Sequence, residues 1–158
     1  IINGNLVQEE IFGGTIDDNI RLGNPSIRHQ KVLESLQRAG LGEFIDRQPE
    51  GIFSQILPSG QGLSSSERRR LQLARCLATN PRIFIWSDMF NGFQLEEKKR
   101  IISEVFKKDS NNSVLAFSND PLIMQSCDRI LLLVDGVIAA EGNYEIISRH
   151  SLFVHTQS

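Results

Sequence analysis

The feature that most constrains the fold is an unbroken apolar run, IFIW at residues 83–86, which stops abruptly at Ser87 and Asp88. A run without polar alternation is typical of a strand that is buried on both faces of a parallel sheet. In such sheets, ligands and catalytic side chains collect at the carboxyl ends of the strands. We therefore expect Ser87 and Asp88 to lie at a sheet edge that carries chemistry.

Other segments show helical or strand patterns around this run. A helix over 26–39, stopped by Gly40, has one apolar face formed by Val32, Leu33, Leu36 and Ala39. A second helix, which begins with serines at 64–66, has an apolar face formed by Leu71, Ala74, Leu77 and Ala78. Further strands are predicted within 1–8 and at 113–118, 129–134 and 137–142, and further helices within 41–51, 95–108, 121–127 and 144–150. This order predicts a helix-rich first part followed by an α/β part with a mostly parallel sheet.

The composition excludes several classes of protein. A chain of 158 residues that is 40% hydrophobic can bury a real core as one globular domain. Its net charge of -2 argues against a nucleic-acid binder that works by bulk charge. No apolar run approaches the roughly 18–20 residues of a membrane span. Cys76 and Cys127 have no CxxC or histidine partners nearby, which favours a reduced compartment and disfavours a metal site.

Residues 63–88, LSSSERRRLQLARCLATNPRIFIWSD, resemble one stretch of the nucleotide-binding domains of ABC transporters. The family pattern there is LSGGQ, a basic helix, Asn-Pro-Arg, an apolar strand (Walker B) and Asp-Glu. Residues 6–25, LVQEEIFGGTIDDNIRLGNP, are similar to the Q-loop and the start of the helical subdomain in exporter-type members. Residues 113–142 are similar to the region that begins with the H-loop strand. The likeness covers essentially the whole chain in order.

The resemblance implies an α/β fold with a partial RecA-like parallel-sheet core and an ABC-type helical subdomain. It places the helical subdomain and signature helix at 9–80, and the α/β core at 1–8 and 81–158. No GxxxxGK[ST] phosphate loop occurs in the sequence, and the chain starts at Ile1 without an initiator Met. We therefore expect a C-terminal part of such a domain, which by itself binds ATP poorly or not at all.

Two nucleotide-binding segments follow from the resemblance. Gln8 takes the Q-loop position, whose amide in the family meets Mg²⁺ and the attacking water; the alternative is a polar residue that ends a strand. Ser64, Ser65, Ser66 and Glu67 take the signature positions, which in the family point a helix N-terminus at the γ-phosphate bound by the opposite subunit. Here the serines add bulk and Glu67 adds negative charge, so an ordinary capped helix is an almost equally good interpretation.

The catalytic positions depart further from the family. Ser87 takes the place of the Walker B aspartate, and its hydroxyl is a weak metal ligand. Asp88 takes the place of the catalytic glutamate. Shifting the alignment by one residue makes Asp88 the metal acid and Met89 the water-positioning residue. The D-loop falls on Asn91, Gly92, Phe93 and Gln94, and the H-loop histidine position falls on Asn119, which cannot titrate as imidazole does.

These departures imply an exporter-type ATP-binding domain with a degenerate site that is weakly active or inactive. The implied cofactors, ATP and Mg²⁺, belong to the intact parent, and none is expected on this chain. The implied partners are a second nucleotide-binding domain, in a homo- or heterodimer, and a transmembrane domain, at the cytoplasmic face of a membrane. No nucleic-acid partner is expected.

An alternative function is a non-catalytic regulatory or interaction domain that retains the ABC ATPase fold. A chromosome-maintenance ATPase is disfavoured, because only ~55 residues separate the Q-loop and signature regions, too few for a coiled-coil arm.

Overall fold

The structure is a computed structural model that describes residues 2–4, 11–87, 93–107, 112–151 and 153. Its strands are β1 (Ile2–Gly4), β2 (Gly14–Thr15), β3 (Gln55–Ile56), β4 (Ile83–Ser87), β5 (Ser113–Phe117), β6 (Ile130–Val134) and β7 (Val137–Gly142). Its α-helices are α1 (Ile16–Arg21), α2 (His29–Arg38), α3 (Gly42–Asp46), α4 (Ser65–Ala78), α5 (Leu95–Val105), α6 (Pro121–Ser126) and α7 (Tyr144–Ile147). Two 3₁₀ turns lie at Gly51–Phe53 and Pro58–Gly60. None of the described helices is both long and apolar enough to cross a membrane.

The strands form three small sheets. β1, β4 and β5 make a parallel sheet in that order, with Ile2 opposite Ile83 and Ser87 opposite Phe117. β2 pairs with β3, and β6 with β7, both antiparallel. Parallel neighbours need a crossover connection, and α5 lies in the one between β4 and β5. The predicted parallel sheet and the helix-rich first part are both confirmed.

The helical part is built around α4. All four residues predicted on its apolar face are buried, and Leu73 is buried as well, at 1% exposure. On α2, the buried residues are Val32, Ser35 and Leu36, which follow helical spacing. The prediction that Leu33 shares this face is wrong, because Leu33 lies outside that stripe and is 42% exposed. Ser35 lies in the stripe instead, and its hydroxyl donates to the carbonyl of Val32 at 2.8 Å.

The expectation that the strand at residue 83 is buried on both faces is also wrong. Phe84 is 3% exposed and belongs to the core cluster that contains Ile101, Ile102 and Val105 of α5. On the opposite face of the sheet, Leu115 and Phe117 are 50% and 54% exposed. Parallel sheets normally carry helices on both faces, whereas the described residues cover only one. We call the face formed by Ile83, Ile85, Leu115 and Phe117 the open face.

The last elements form a hairpin and a short helix. Asp135 and Gly136 connect β6 to β7 with φ angles of 49° and 79°, as a two-residue hairpin turn with two left-handed residues requires. Asn143 caps α7, because its Oδ1 accepts from the Ile146 backbone N–H at 3.1 Å. The helix predicted over 144–150 is shorter than expected and ends at Ile147.

The open face predicts opposite results for two phenylalanines on adjacent strands. Phe84→Ala should lower the free energy of unfolding by about 3–5 kcal/mol, since it leaves a cavity in the core. Phe117→Ser should change it by less than about 0.5 kcal/mol and reduce the fluorescence of a bound hydrophobic dye. Urea unfolding and dye titration of the two variants measure this difference. An equal loss of stability in both would show that the open face is covered in solution.

Candidate functional site

Two predicted site residues, Ser87 and Asn119, lie at the carboxyl edge of the parallel sheet. Ser87 ends β4, and its register partner Phe117 ends β5. Asn119 follows two residues later and is exposed, whereas Ser87 is half-buried. This is the edge at which ligands collect in open α/β sheets. The structure therefore brings Ser87 and Asn119 to the place that the sequence predicted for chemistry.

Four of the predicted site residues lie outside the described part of the chain: Gln8, Asp88, Asn91 and Gly92. The roles proposed for them stay predictions. The choice between the two alignments of the Walker B strand, in which Asp88 is either the metal acid or the catalytic acid, also stays open.

Ser87 and Asn119 do not fit a magnesium ion. Mg²⁺ is bound through carboxylates, waters and substrate phosphates, whereas Ser87 offers a hydroxyl and Asn119 an amide. Over the described ranges, no group of three or more His, Cys, Asp or Glu residues could hold a metal ion. We therefore derive no metal-dependent step from these residues.

The predicted signature residues form the N-terminus of α4. Ser64 is the N-cap, and its hydroxyl accepts from the Glu67 backbone N–H at 3.1 Å. The Glu67 carboxylate in turn accepts from the Ser64 backbone N–H at 2.8 Å. This reciprocal pair is a capping box, which satisfies two of the backbone donors that a helix start leaves free. The carboxylate of Glu67 thus lies at the helix end that attracts anions.

Of the predicted D-loop residues, Phe93 contacts α4 and Gln94 begins α5. Gln94 is the N-cap of α5, and its backbone N–H donates to Glu97 at 3.4 Å. Glu97 also binds the guanidinium of Arg70, which lies over the ring of Phe93 at 5.5 Å from its centroid. The hydrogen bond from Arg70 holds the pKa of Glu97 below its ordinary value, against the opposing effect of burial. Among the three consecutive arginines of α4, Arg70 therefore has an acidic partner.

Sequence reasoning missed the buried cation of α4. Arg75 is 2% exposed, and its Nε and Nη2 donate at 2.7 Å to the backbone and side-chain oxygens of Asn19. Its guanidinium also lies 5.5 Å from the ring centroid of Phe12. Asn19, itself fully buried, donates to the carbonyls of Phe12 and Thr15 at 3.0 Å. The available signal was the position of Arg75 four residues after Leu71, on the apolar face.

Known proteins match this chain over nearly its whole length. This chain is 30% identical over 148 residues to the alpha-hemolysin translocation ATP-binding protein HlyB of Escherichia coli O157:H7. The matched region is 92% of this chain and 21% of that protein. This chain is 29% identical over 143 residues to the leukotoxin export ATP-binding protein LtxB of Aggregatibacter actinomycetemcomitans, covering 90% and 20%. It is 28% identical over 137 residues to a putative export ATP-binding/permease protein of Rickettsia bellii, covering 87% and 24%. The chain thus spans about a fifth to a quarter of the length of these relatives.

The fold also matches a solved structure. A bacterial Atm1-family ABC exporter with ATP bound superposes on 99% of this chain with a TM-score of 0.87, at 23% identity and over 28% of the exporter chain. This likeness shows that the partial α/β core and the helical part have the fold of the corresponding exporter region. No protein-family model matches the sequence.

The buried contact between Arg75 and Asn19 predicts a large loss of stability on mutation. Arg75→Met keeps most of the side-chain volume but leaves two buried oxygens of Asn19 without this donor, which should cost about 1–3 kcal/mol for each unsatisfied group. The exposed Arg82 offers a control, since Arg82→Met should stay within about 0.5 kcal/mol. Urea unfolding measures both. Equal effects of the two substitutions would contradict the role of the buried contact.

The lowered pKa of Glu97 predicts a dependence of stability on pH. Because the folded pKa lies below its ordinary value of 4.5, ionised Glu97 stabilises the fold above that pH. This contribution is lost as the pH falls through the folded value. Glu97→Gln lacks this titration, so the difference in unfolding free energy between wild type and variant should shrink between pH 6 and pH 3. Urea unfolding at several pH values measures this difference. If the difference in unfolding free energy does not change with pH, Glu97 does not stabilise the fold through its ionised form.

Proposed function

We propose that this chain, which is related over nearly its whole length to ABC exporter ATP-binding proteins, is part of an exporter ATP-binding domain whose nucleotide site is degenerate. Relatives that are named for translocation or export and for ATP binding cover 87–92% of the chain, and this observation carries the family assignment. The side chains at the ends of β4 and β5 support the loss of catalytic power. The resulting site is weakly active or inactive.

The chemistry of phosphoryl transfer supports this proposal. The protein accelerates this reaction almost entirely by positioning the reactants and stabilising charge. A hydroxyl at Ser87 provides no negative charge for a divalent cation, and the amide of Asn119 neither titrates nor carries positive charge. The carboxyl group of Asp88, one methylene shorter than that of glutamate, would lie about 1 Å from the family position, a misplacement that can cost about a hundredfold in rate.

The N-terminus of α4 supports the same conclusion for a second site. In the family, this loop serves the nucleotide that is bound by the opposite subunit. Here Glu67 already accepts the hydrogen bond of the Ser64 backbone N–H, and its negative charge repels a phosphate group. The signature loop of this chain therefore contributes little to binding of the partner's nucleotide.

The organisation of the domain follows from the same proposal. Residues 9–80 form the helical subdomain with the signature helix, and residues 1–8 and 81–158 contribute to the α/β core. The phosphate loop comes from polypeptide outside this chain. The open face supports this assignment, because its apolar side chains at Leu115 and Phe117 need a covering element.

Partners and cofactors follow from the proposed family role. The parent protein pairs this domain with a second ATP-binding domain and with a transmembrane domain, at the cytoplasmic face of a membrane. ATP and Mg²⁺ are cofactors of intact domains of this family, and this chain by itself binds neither.

A second candidate function is a regulatory or interaction domain that has given up nucleotide chemistry. The capping of α4 by Glu67 favours it, since the carboxylate gives this helix a stable N-terminus without any bound phosphate. The sequence at the phosphate-loop position of the parent distinguishes the two functions. An intact GxxxxGK[ST] favours the transporter, and a degraded loop favours the regulatory domain.

Isothermal titration calorimetry of this chain with Mg-ATP tests the binding proposal. We expect no measurable heat of binding, because Ser87 and Asn119, the predicted site residues described at the sheet edge, are both uncharged. The ATP-binding region of the E. coli relative, titrated under the same conditions, is the positive control. Micromolar affinity for this chain would overturn the proposal.

The ATPase rate of the full-length parent tests the catalytic part. It should be far below that of intact exporters, and the triple variant S87D/D88E/N119H should raise it by about a hundredfold if the three groups act as a unit. Lys99→Met on the exposed side of α5 is the control and should leave the rate unchanged. A wild-type turnover comparable to that of intact exporters would refute the degenerate site.

A further inference from the structure

The first turn of α5 contacts the signature helix on one side. The carboxylate of Glu97 binds Arg70 of α4. Arg70 also donates to the carbonyl of Gly40 at 2.8 Å, in the turn between α2 and α3. A Cβ atom at Gly40, whose φ is 79°, would meet the Arg100 guanidinium of α5. Side chains of α5 therefore contact α4 and the turn between α2 and α3.

The next residue of the same turn contacts the other side. Lys98 forms an ion pair with Asp120, and both side chains are only about one-fifth exposed, at 19% and 20%. Asp120 caps α6 by accepting from the Leu122 backbone N–H at 2.9 Å, and its own backbone N–H donates to Ser118 at 3.1 Å. Asn119, at the predicted H-loop position, lies between Ser118 and Asp120, which are held by these hydrogen bonds. Lys98 thus fixes the loop that carries Asn119.

We propose that the first turn of α5 is a mechanical link between the signature loop of α4 and the Asn119 loop. Glu97 and Lys98 are consecutive residues, separated by the 1.5 Å rise of a helix, so a displacement at one ion pair moves the other. This inference rests on the proposed function, which assigns the signature loop to the partner's nucleotide and Asn119 to this chain's own site. Through this link, a structural change at one nucleotide site would alter the other site, even when no competent catalytic centre is present.

The neighbouring ion pair on the same helix shows why these two pairs differ from ordinary surface pairs. Lys99 and Glu96 are three residues apart within α5, and their side chains are 50% and 81% exposed. Such a pair joins the helix only to itself and contributes little to stability. The pairs of Glu97 and Lys98 instead join α5 to two other elements, and their partners are largely shielded from water. Lys99 therefore provides a matched control for Lys98.

Amide hydrogen exchange of this chain, without nucleotide, tests the link. Glu97→Gln and Lys98→Met each remove one ion pair, and Asp120→Asn removes the second pair but keeps a side-chain oxygen that caps α6. Glu97→Gln should accelerate exchange at 118–122, and Asp120→Asn should accelerate exchange at 63–68. We expect increases of about fivefold or more, the factor that corresponds to the loss of one interaction of ordinary strength. Lys99→Met should change neither segment, and Lys98→Arg, which retains the pair, should behave as wild type.

The cross-effects decide the outcome, because a coupling pathway requires demonstrated coupling between its ends. Increases that stay on the side of the mutated pair would overturn the link. So would an increase of equal size in β6 and β7, which would report general destabilisation. Since no nucleotide is present, this result is independent of the calorimetric test, and either proposal can fail while the other stands.

Discussion

The buried contact between Arg75 and Asn19 is the constraint on which the helical part depends. A guanidinium in an apolar core is costly unless its donors are satisfied, and the two oxygens of Asn19 bind two of them at 2.7 Å. Asn19 in turn fixes the segment that contains Phe12 and Thr15. This contact therefore joins α1, α4 and the chain segment that follows the Q-loop position. Six apolar residues of α4 are buried in the core of the described residues together with it: Leu71, Leu73, Ala74, Cys76, Leu77 and Ala78.

The same helix carries the predicted signature residues at its N-terminus, where the fold and a bound nucleotide would need different partners. A helix start needs partners for its free backbone donors, and a phosphate group or a carboxylate can supply them. In this chain Glu67 supplies one internally, so α4 is stable without a ligand. The fold can thus persist without the nucleotide chemistry that we propose is lost at the ends of β4 and β5. On the proposed function, further polypeptide covers the open face of the sheet.

Much of the fold could be predicted from the sequence, because local rules govern those parts. Helical spacing identified the buried face of α4, and the serine residues predicted its cap. Between the strands predicted at 129–134 and 137–142, Asp135 and Gly136 form a turn with both residues in the left-handed region. The errors arose where burial depends on neighbours. Leu33 is apolar yet exposed, and Leu115 and Phe117 lie on a face that no described helix covers.

The sequence by itself determined the family resemblance, the order of the elements and the residue types at each candidate position. These follow from local spacing and from motifs, which need no knowledge of distant contacts. Only the tertiary structure decided that Arg75 is buried against Asn19, that Arg70 binds Glu97 and that Lys98 binds Asp120. Each of these pairs joins residues that are more than twenty positions apart. Their pairing depends on how α4, α5 and the sheet pack together. The sequence pattern within one segment does not predict that packing.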